Sequence, residues 1–451
     1  MTYSTAAPTT DRPPAASHHE LRGHLESLAR IHRVPGAQLA VHTGTHLVSV
    51  HTGTADALTN TAFTARTAVP LGSVTKVATA TAVLLLADDG DIDLDEPVSD
   101  LLPDLAGELP EVTVRHLLSH TAGLSTGPDS DSAVGATASR YLSTVWTARN
   151  TLFAPGTGFS YSNAGYVVAG RILSEVTGMT WQEAVTALVL EPLGIVPAFL
   201  GDTAPSRPLA GGHALNTATG LVRPAHQNLA PVEAPAGALL ASAEDLVTLG
   251  RALIGRSPAL PAAVADRMRH PEPAADAGAL ADSWGLGLAL FQQDGRMWWG
   301  HDGNAQGTSC HLRADADTGV VVAFTGNAGA ATALWRDIAA ELARLTGIRV
   351  PTGPSAGPRR GPALPLKDCA GTYRNGGIEY TVKLDGDGRP TLSVDGDCPI
   401  PLVCYADLSC DLVDPSTGRL EPGGRFHRDP VTGAIDRLQI SGRTARRTGT
   451  G

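Results

Sequence analysis

Apolar and polar positions along this chain follow two rhythms: helical spacing dominates before residue 347, and two-residue alternation takes over after residue 366. Leu21, Leu25, Leu28 and Ile31 fall on one face of a helix over residues 18–32. Two short strands follow, 36–42 and 46–51, turned at Thr43-Gly44-Thr45. Residues 77–87 form an apolar helix that stops at Asp89-Gly90, with the glycine as C-terminal cap. Residues 91–105 are acidic and read as a loop, after which Thr113 caps a short helix over 114–119. A Gly/Ser/Tyr loop at 156–163 leads to helices at 166–177 and 181–190, and residues 201–235 read as irregular. Ser242-Ala243-Glu244-Asp245 is a capping box opening a helix that ends near Ile254. Strand-like runs at 285–292, 296–301, 308–314 and 319–325 precede a last helix over 330–345.

This order predicts the α+β class: an antiparallel sheet with helices packed on it and a helical insertion, spanning residues 18–346. Residues 347–365 hold five prolines and no amphipathic pattern, which reads as a linker. Beyond it, alternating runs at 380–384, 390–394, 400–405, 424–427 and 435–440 predict a small all-β domain over 366–451, closed as a barrel. Residues 1–17, rich in Thr, Ala and Pro, read as a disordered tail.

Composition narrows the function. At 451 residues and 42% hydrophobic, the chain can fill a large core and a smaller one. A net charge of −11 argues against a nucleic-acid or anionic-membrane partner. The five cysteines lack Cys-x-x-Cys spacing and read as reduced packing residues, so no metal and no cofactor is expected. The N-terminal residues show no apolar signal region and the longest apolar run is far too short to span a bilayer, so the expected location is cytoplasmic.

Candidate chemistry begins at Ser73-Val74-Thr75-Lys76, just ahead of the apolar helix. If Ser73 opens that helix, Lys76 lies one turn on, on the same face, and its amine reaches the hydroxyl. Serine needs a neighbouring base, and lysine serves as one only with a lowered pKa. A capping Ser with a solvated Lys would show the same spacing. Tyr161-Ser162-Asn163 offers a phenol to shuttle a proton and an amide to hold substrate or Lys76; a plain turn is the alternative. In His301-Asp302-Gly303 the glycine permits close backbone approach, and the N–H of Asn304 is a candidate oxyanion donor opposite that of Ser73. A hairpin turn with a surface His is the alternative there.

Ser73-x-x-Lys76, Tyr161-x-Asn163 and His301-Asp302-Gly303, in that order, resemble the serine β-lactamase and penicillin-binding-protein superfamily, and most of all its class C β-lactamase-like branch. His116-Leu-Leu-Ser-His-Thr-Ala-Gly-Leu124 and Pro235-Ala-Gly237 leading into Ala241-Ser-Ala-Glu-Asp245 are similar to structural signatures of that branch. The resemblance covers about residues 20–350. It implies Ser73 as nucleophile, Lys76 as general base, Tyr161 as proton shuttle and Asn163 as a substrate or Lys76 contact. The family's usual third motif is Lys-Thr-Gly, whose lysine holds a substrate carboxylate. His301 stands there instead, largely neutral at pH 7 with an ordinary pKa of about 6.5. That weakens the case for β-lactam hydrolysis and suits an ester, thioester or amide, with His301 passing a proton to a leaving group or from an incoming amine, or only orienting Tyr161. Gly303 and Glu233 are possible substrate contacts, Glu233 for an amine, although an exposed loop carboxylate is the plainer reading. Arg443, Arg446 and Arg447 either reach over the site, with Arg446 as a substrate contact, or form a solvated tail. His116 and His120 read as packing residues rather than metal ligands.

The C-terminal β-domain resembles the lipocalin-like domain of D-aminopeptidases and of penicillin-binding-protein-type thioesterases. The latter resemblance implies a cyclase of nonribosomal peptide biosynthesis. Its partner would be a peptidyl substrate on a carrier-protein phosphopantetheine arm, loaded onto Ser73 and released by head-to-tail macrocyclisation. A D-stereospecific aminopeptidase, esterase or β-lactamase-like serine hydrolase is the alternative, and a non-catalytic peptide- or carrier-binding protein a third.

Overall fold

The computed structural model describes residues 18–450 apart from 129, 217–218, 356–362 and 416–417. The expected tail lies outside the described residues, as does part of the expected linker. Eight antiparallel strands form the main sheet, in the order Thr61–Ala62, Leu47–Asp56, Gly36–Thr43, Val320–Gly326, Thr308–Asp315, Arg296–Ala305, Ala289–Gln293 and Ser283–Trp284. The earliest long strand thus pairs with the last one, Leu39 opposite Phe324. Val320–Gly326 is a continuous apolar run because both faces are covered. Val322 and Phe324 pack with Leu21, Leu25, Trp335 and Ile338 of the two terminal helices, His18–Ile31 and Ala331–Thr346. Val321 and Ala323 pack on the other face with Leu246 and Val247 of the helix Ala243–Leu253.

The helix after Ser73 runs Thr75–Asp89 and is buried nearly all round, which is why it reads as apolar without a polar face. Gly90, at φ 86°, closes it by donating to Leu86. Its first turn corrects the expectation: Ser73 lies in a separate 3₁₀ turn, Gly72–Val74, and does not open the α-helix itself. The acidic stretch at 91–105 is not a plain loop either. It carries the short turns Val98–Leu101 and Pro103–Leu105, which bury Ile92, Leu94 and Leu102. Short helices Ser130–Ala133 and Ala138–Val145 and a hairpin, Gly212–Leu215 with Val222–Ala225, also arise where no regular pattern stands out.

The C-terminal strands, from Gly371–Asn375 to Arg443–Thr450, close on themselves as an eight-stranded up-and-down barrel. Tyr373, Val382, Leu392, Leu402, Phe426 and Leu438 fill it. Four cysteines are buried, and Cys398 is exposed, against the expected packing role. Among the described residues no helix is long and apolar enough to cross a membrane.

Candidate active site

The short strand Val69–Pro70 pairs with Leu240–Ala241 and delivers the chain into the Ser73 turn. The strand Arg296–Ala305 crosses that turn at backbone contact. A Cβ on Gly72 would stand 2.2 Å from the Asn304 carbonyl oxygen, and one on Gly303 would stand 2.0 Å from that of Leu71. Only glycine permits either approach. Gly303 is therefore buried packing backbone and not the substrate contact expected of it. In an extended strand the C=O and N–H of one residue share an edge, so the Asn304 N–H faces the Ser73 turn, where an oxyanion donor is needed.

Lys76 is fully buried, and its Nζ lies 3.2 Å from Ser73 Oγ, 2.8 Å from Asn163 Oδ1 and 2.9 Å from the Ala236 carbonyl. Asn163 starts the helix Asn163–Thr177, which Ser162 caps by accepting from Gly165 N–H. Ala236 is held by two staples from the Lys76 helix: Thr79 Oγ1 donates to the Pro235 carbonyl, and Thr75 Oγ1 accepts from Leu239 N–H. Pro235 in turn sits on Gly170, where any side chain would collide. Burial pushes the Lys76 pKa well down, the Arg443 guanidinium pushes the same way, and Glu233 opposes them. An uncharged lysine has two N–H groups and one lone pair. Both carbonyl oxygens can only accept, so they take the N–H groups and leave the lone pair facing the Ser73 hydroxyl. That is the arrangement of a base.

Tyr161 is buried, with the Lys76 Nζ 4.9 Å from its ring centre. Burial raises its pKa, while the neighbouring Ser73 hydroxyl and Arg443 pull it back, so it remains a phenol capable of relaying a proton. Its ring rests on His120, centroids 4.3 Å apart, and His120 Nδ1 accepts from Ser162 N–H. His120 packs as expected, although its Nε2 is buried without a partner among the described residues, and His116 packs with its Nδ1 serving the Thr113 cap.

His301 is also buried, edge-on to Trp284 at 5.2 Å. Burial and the nearby Lys76 bring its pKa down to about 4. Its Nδ1 lies 2.6 Å from the Asp302 carbonyl, which can only accept, so Nδ1 carries the proton and Nε2 presents a bare lone pair. Nε2 is buried without a partner. In this state His301 has no proton to supply to a leaving group, and its Nε2 can only accept a hydrogen bond. Asp302 lies directly opposite His311, which donates to it at 2.7 Å, and the fully buried Arg313 grips both its oxygens at 2.7 and 3.0 Å. Burial alone would raise the Asp302 pKa, but these two partners hold it far below the usual carboxylate range.

Two cavities meet at Ser73. One, of about 320 Å³, is lined by Ser130, Asn163, Gln227, Asn228, Ala236 and Gln306. The other, of about 200 Å³, is lined by Leu280, Trp284, Ala289, Phe291, His301 and Arg443. Glu233 is not an exposed loop carboxylate: it is 2% exposed and accepts from Ser130 beneath the first cavity. Arg446 points elsewhere, donating to the Thr151 carbonyl from an exposed position. The arginine that reaches the site is Arg443, 5.4 Å from the Tyr161 ring centre.

Residues 21–344 match the family model described as Beta-lactamase. The chain belongs to the beta-lactamase family. Penicillin-binding protein 4 of Amycolatopsis lactamdurans is 34% identical to it over 382 residues, 80% of this chain and 98% of that one. The crystal structure of SurE matches with a TM-score of 0.83 at 36% identity, over 96% of this chain and 99% of SurE, and SurE with D-Leu matches at 0.81. A D-stereospecific amidohydrolase from Streptomyces sp. matches at 0.59 and 26% identity, over 74% of this chain and 99% of that one. Within this beta-lactamase-family frame, sequence reasoning missed the His311 and Arg313 partners of Asp302 and the aromatic wall of Trp284 and Phe291. His311 and Arg313 stand two apart on the strand next to the motif strand, a signal that places both on one face. Arg443 was flagged only as one of three arginines. Its placement is signalled by Ser441-Gly442, a two-residue hairpin turn with both φ angles positive, which aims the following residue at the sheet domain.

Proposed function

We propose that this chain is a serine acyltransferase that takes a peptidyl group ending in a D-residue from a carrier-protein thioester onto Ser73. The peptide's own N-terminal amine then releases it as a macrocycle. The observation that carries this reading is the Lys76 amine, fixed by Asn163 and Ala236 with its lone pair on Ser73, beside a neutral His301. As Ser73 Oγ attacks the thioester carbonyl, its proton passes to Lys76. The oxyanion lies between the N–H groups of Ser73 and Asn304, and the thiol leaves with the proton returned through Tyr161. The incoming amine attacks the acyl-Ser73 ester and loses its proton to Lys76, with His301 Nε2 free to accept a hydrogen bond from it. The ring closes because the tethered amine is held at a high effective concentration against water. A neutral His301 offers no cation for a free carboxylate, which favours a thioester over a β-lactam or a free C-terminus. The likeness to SurE, whose structure was also determined with D-Leu, extends over the barrel and supports the D-residue preference.

A second reading is D-stereospecific hydrolysis, in which water replaces the amine; the likeness to the Streptomyces amidohydrolase favours it. Incubation with peptidyl thioesters of several lengths, ending in a D- or an L-residue, separates the two. Cyclic product from the D-series is expected. Linear acid alone at every length would leave the hydrolase, and equal turnover of both series would overturn the D-preference.

A further inference from the structure

The barrel holds the loop that carries Tyr161 by a dense set of hydrogen bonds. The Tyr161 N–H donates to the Gly442 carbonyl at 2.9 Å, at the tip of the hairpin that leads to Arg443. One residue earlier, the Ser160 hydroxyl accepts from Asn375 Nδ2 and from the Thr444 N–H, each at 3.2 Å. Thr444 Oγ1 donates to the Phe159 carbonyl at 2.8 Å. Asn375 is fully buried, and its remaining donor and acceptor are also used: Nδ2 donates to the Thr444 carbonyl at 2.8 Å, and Oδ1 accepts from Thr126 N–H at 2.7 Å. One carboxamide thus ties two barrel strands to two loops of the sheet domain, at the segment whose next residue faces Ser73. A buried amide with every hydrogen bond satisfied fixes its neighbours in one geometry, since each alternative leaves an unpaired polar group. The turn requires glycine at 442, because the residue sits at φ 72° and a Cβ there would meet Leu280 at 2.3 Å.

We infer that Asn375 and Thr444 are positioning residues: the barrel acts as a clamp that aims the Tyr161 phenol, itself buried without a hydrogen-bond partner among the described residues, into the cavity it shares with Ser73. The inference rests on the reading of Ser73 as nucleophile and Tyr161 as proton relay. It requires the barrel to act on the rate of acylation, and not only on stability.

The test measures Ser73 acylation by a small D-aminoacyl thioester, with thermal midpoints alongside. Asn375→Leu keeps the shape and removes the hydrogen bonds. It is expected to lower kcat by about tenfold to a hundredfold, the usual cost of a misplaced reacting group, with KM held within about twofold. In a Tyr161→Phe background the same substitution is expected to cost nothing more, since the group being positioned is gone. Equal losses in both backgrounds, or none in either, overturn the clamp. Thr444→Val against Thr444→Ser repeats the comparison at a milder site and carries the test should Asn375→Leu not fold; a drop with Val that Ser restores supports the clamp, and equal behaviour of the two overturns it. Ser73→Ala run in parallel distinguishes the levels, because acylation surviving it overturns the nucleophile reading itself.

Discussion

The two cavities that share Ser73 both have polar linings, but the second adds an apolar aromatic wall that the first lacks. On one side, carboxamides and a hydroxyl face the space: Gln227 donates to the Gln306 carbonyl, Gln306 to Asn228, and Asn228 to Asp131, with Ser130 covering the buried Glu233. On the other side Leu280, Trp284, Ala289 and Phe291 present apolar surface, relieved by the His301 lone pair and by Arg443. The proposed function would place peptide groups and an entering amine or water on the first side and an acyl side chain on the second. Ser73 stands at the seam, with the buried Lys76 amine behind it. On the proposed function, selectivity and nucleophile choice fall to different walls and are open to separate change.

The largest expected effect breaks the seam itself. Lys76→Met keeps the length of the side chain and removes the base, and acylation should fall by about 10²–10⁴-fold with any acyl donor. Labelling by a fluorophosphonate, followed by intact mass, checks it, and a rate near wild type would remove the base from the mechanism. Next comes the apolar wall's foundation. Asp302→Asn leaves the fully buried Arg313 without its counter-charge; because the Asp302 side chain is itself one-third exposed and screened by solvent, the expected cost in urea unfolding at pH 7 is about 1–2 kcal/mol. The Asp302 pKa is depressed in the folded state, so its contribution is present above the ordinary carboxylate pKa of about 3.9 and is lost as pH falls further toward the folded value. The penalty of the substitution should therefore shrink in acid. A smaller effect separates the walls. Leu280→Ala enlarges the apolar cavity and should shift preference between acyl side chains by about 10-fold or more, whereas Gln227→Ala should leave that preference alone and change the ratio of cyclic to linear product. If both substitutions move the same quantity, the division of labour is wrong.

How much of this was legible follows from where each signal resides. The helix after Ser73 and the strand of His301 show in the sequence because backbone requirements leave residue signatures there: Gly303 for close approach, Gly90 for the cap, and an unbroken apolar run for a helix buried on all sides; the separate turn at Gly72–Val74 does not. Strand Arg443–Thr450 was illegible because its arginines serve the outside and the domain junction, and among its described side chains Ala445 alone joins the apolar barrel core. Glu233 was misplaced for a related reason. A loop carboxylate is ordinarily solvated, and only the fold shows that Ser130, more than a hundred positions away in sequence, covers it.

The finest effect uses the opposing charges on the two walls. Burial is the main cause of the low Lys76 pKa, but Arg443 on the apolar side lowers it further and Glu233 on the polar side raises it. Only the uncharged amine accepts the Ser73 proton, so the acid limb of the acylation profile follows the Lys76 pKa. Glu233→Gln removes the charge that favours the ammonium; the pKa should fall and the acid limb should move to lower pH. Arg443→Gln removes a cation that repels the ammonium; the pKa should rise and the limb should move to higher pH. The measurement is the rate of labelling by a small fluorophosphonate across pH, a probe short enough to leave most of both walls untouched. Opposite displacements would show that each wall tunes the shared base through space. Displacements of the same sign would mean that the substitutions act by disturbing the Ser73 turn, and the division between the walls would then be one of shape without one of charge.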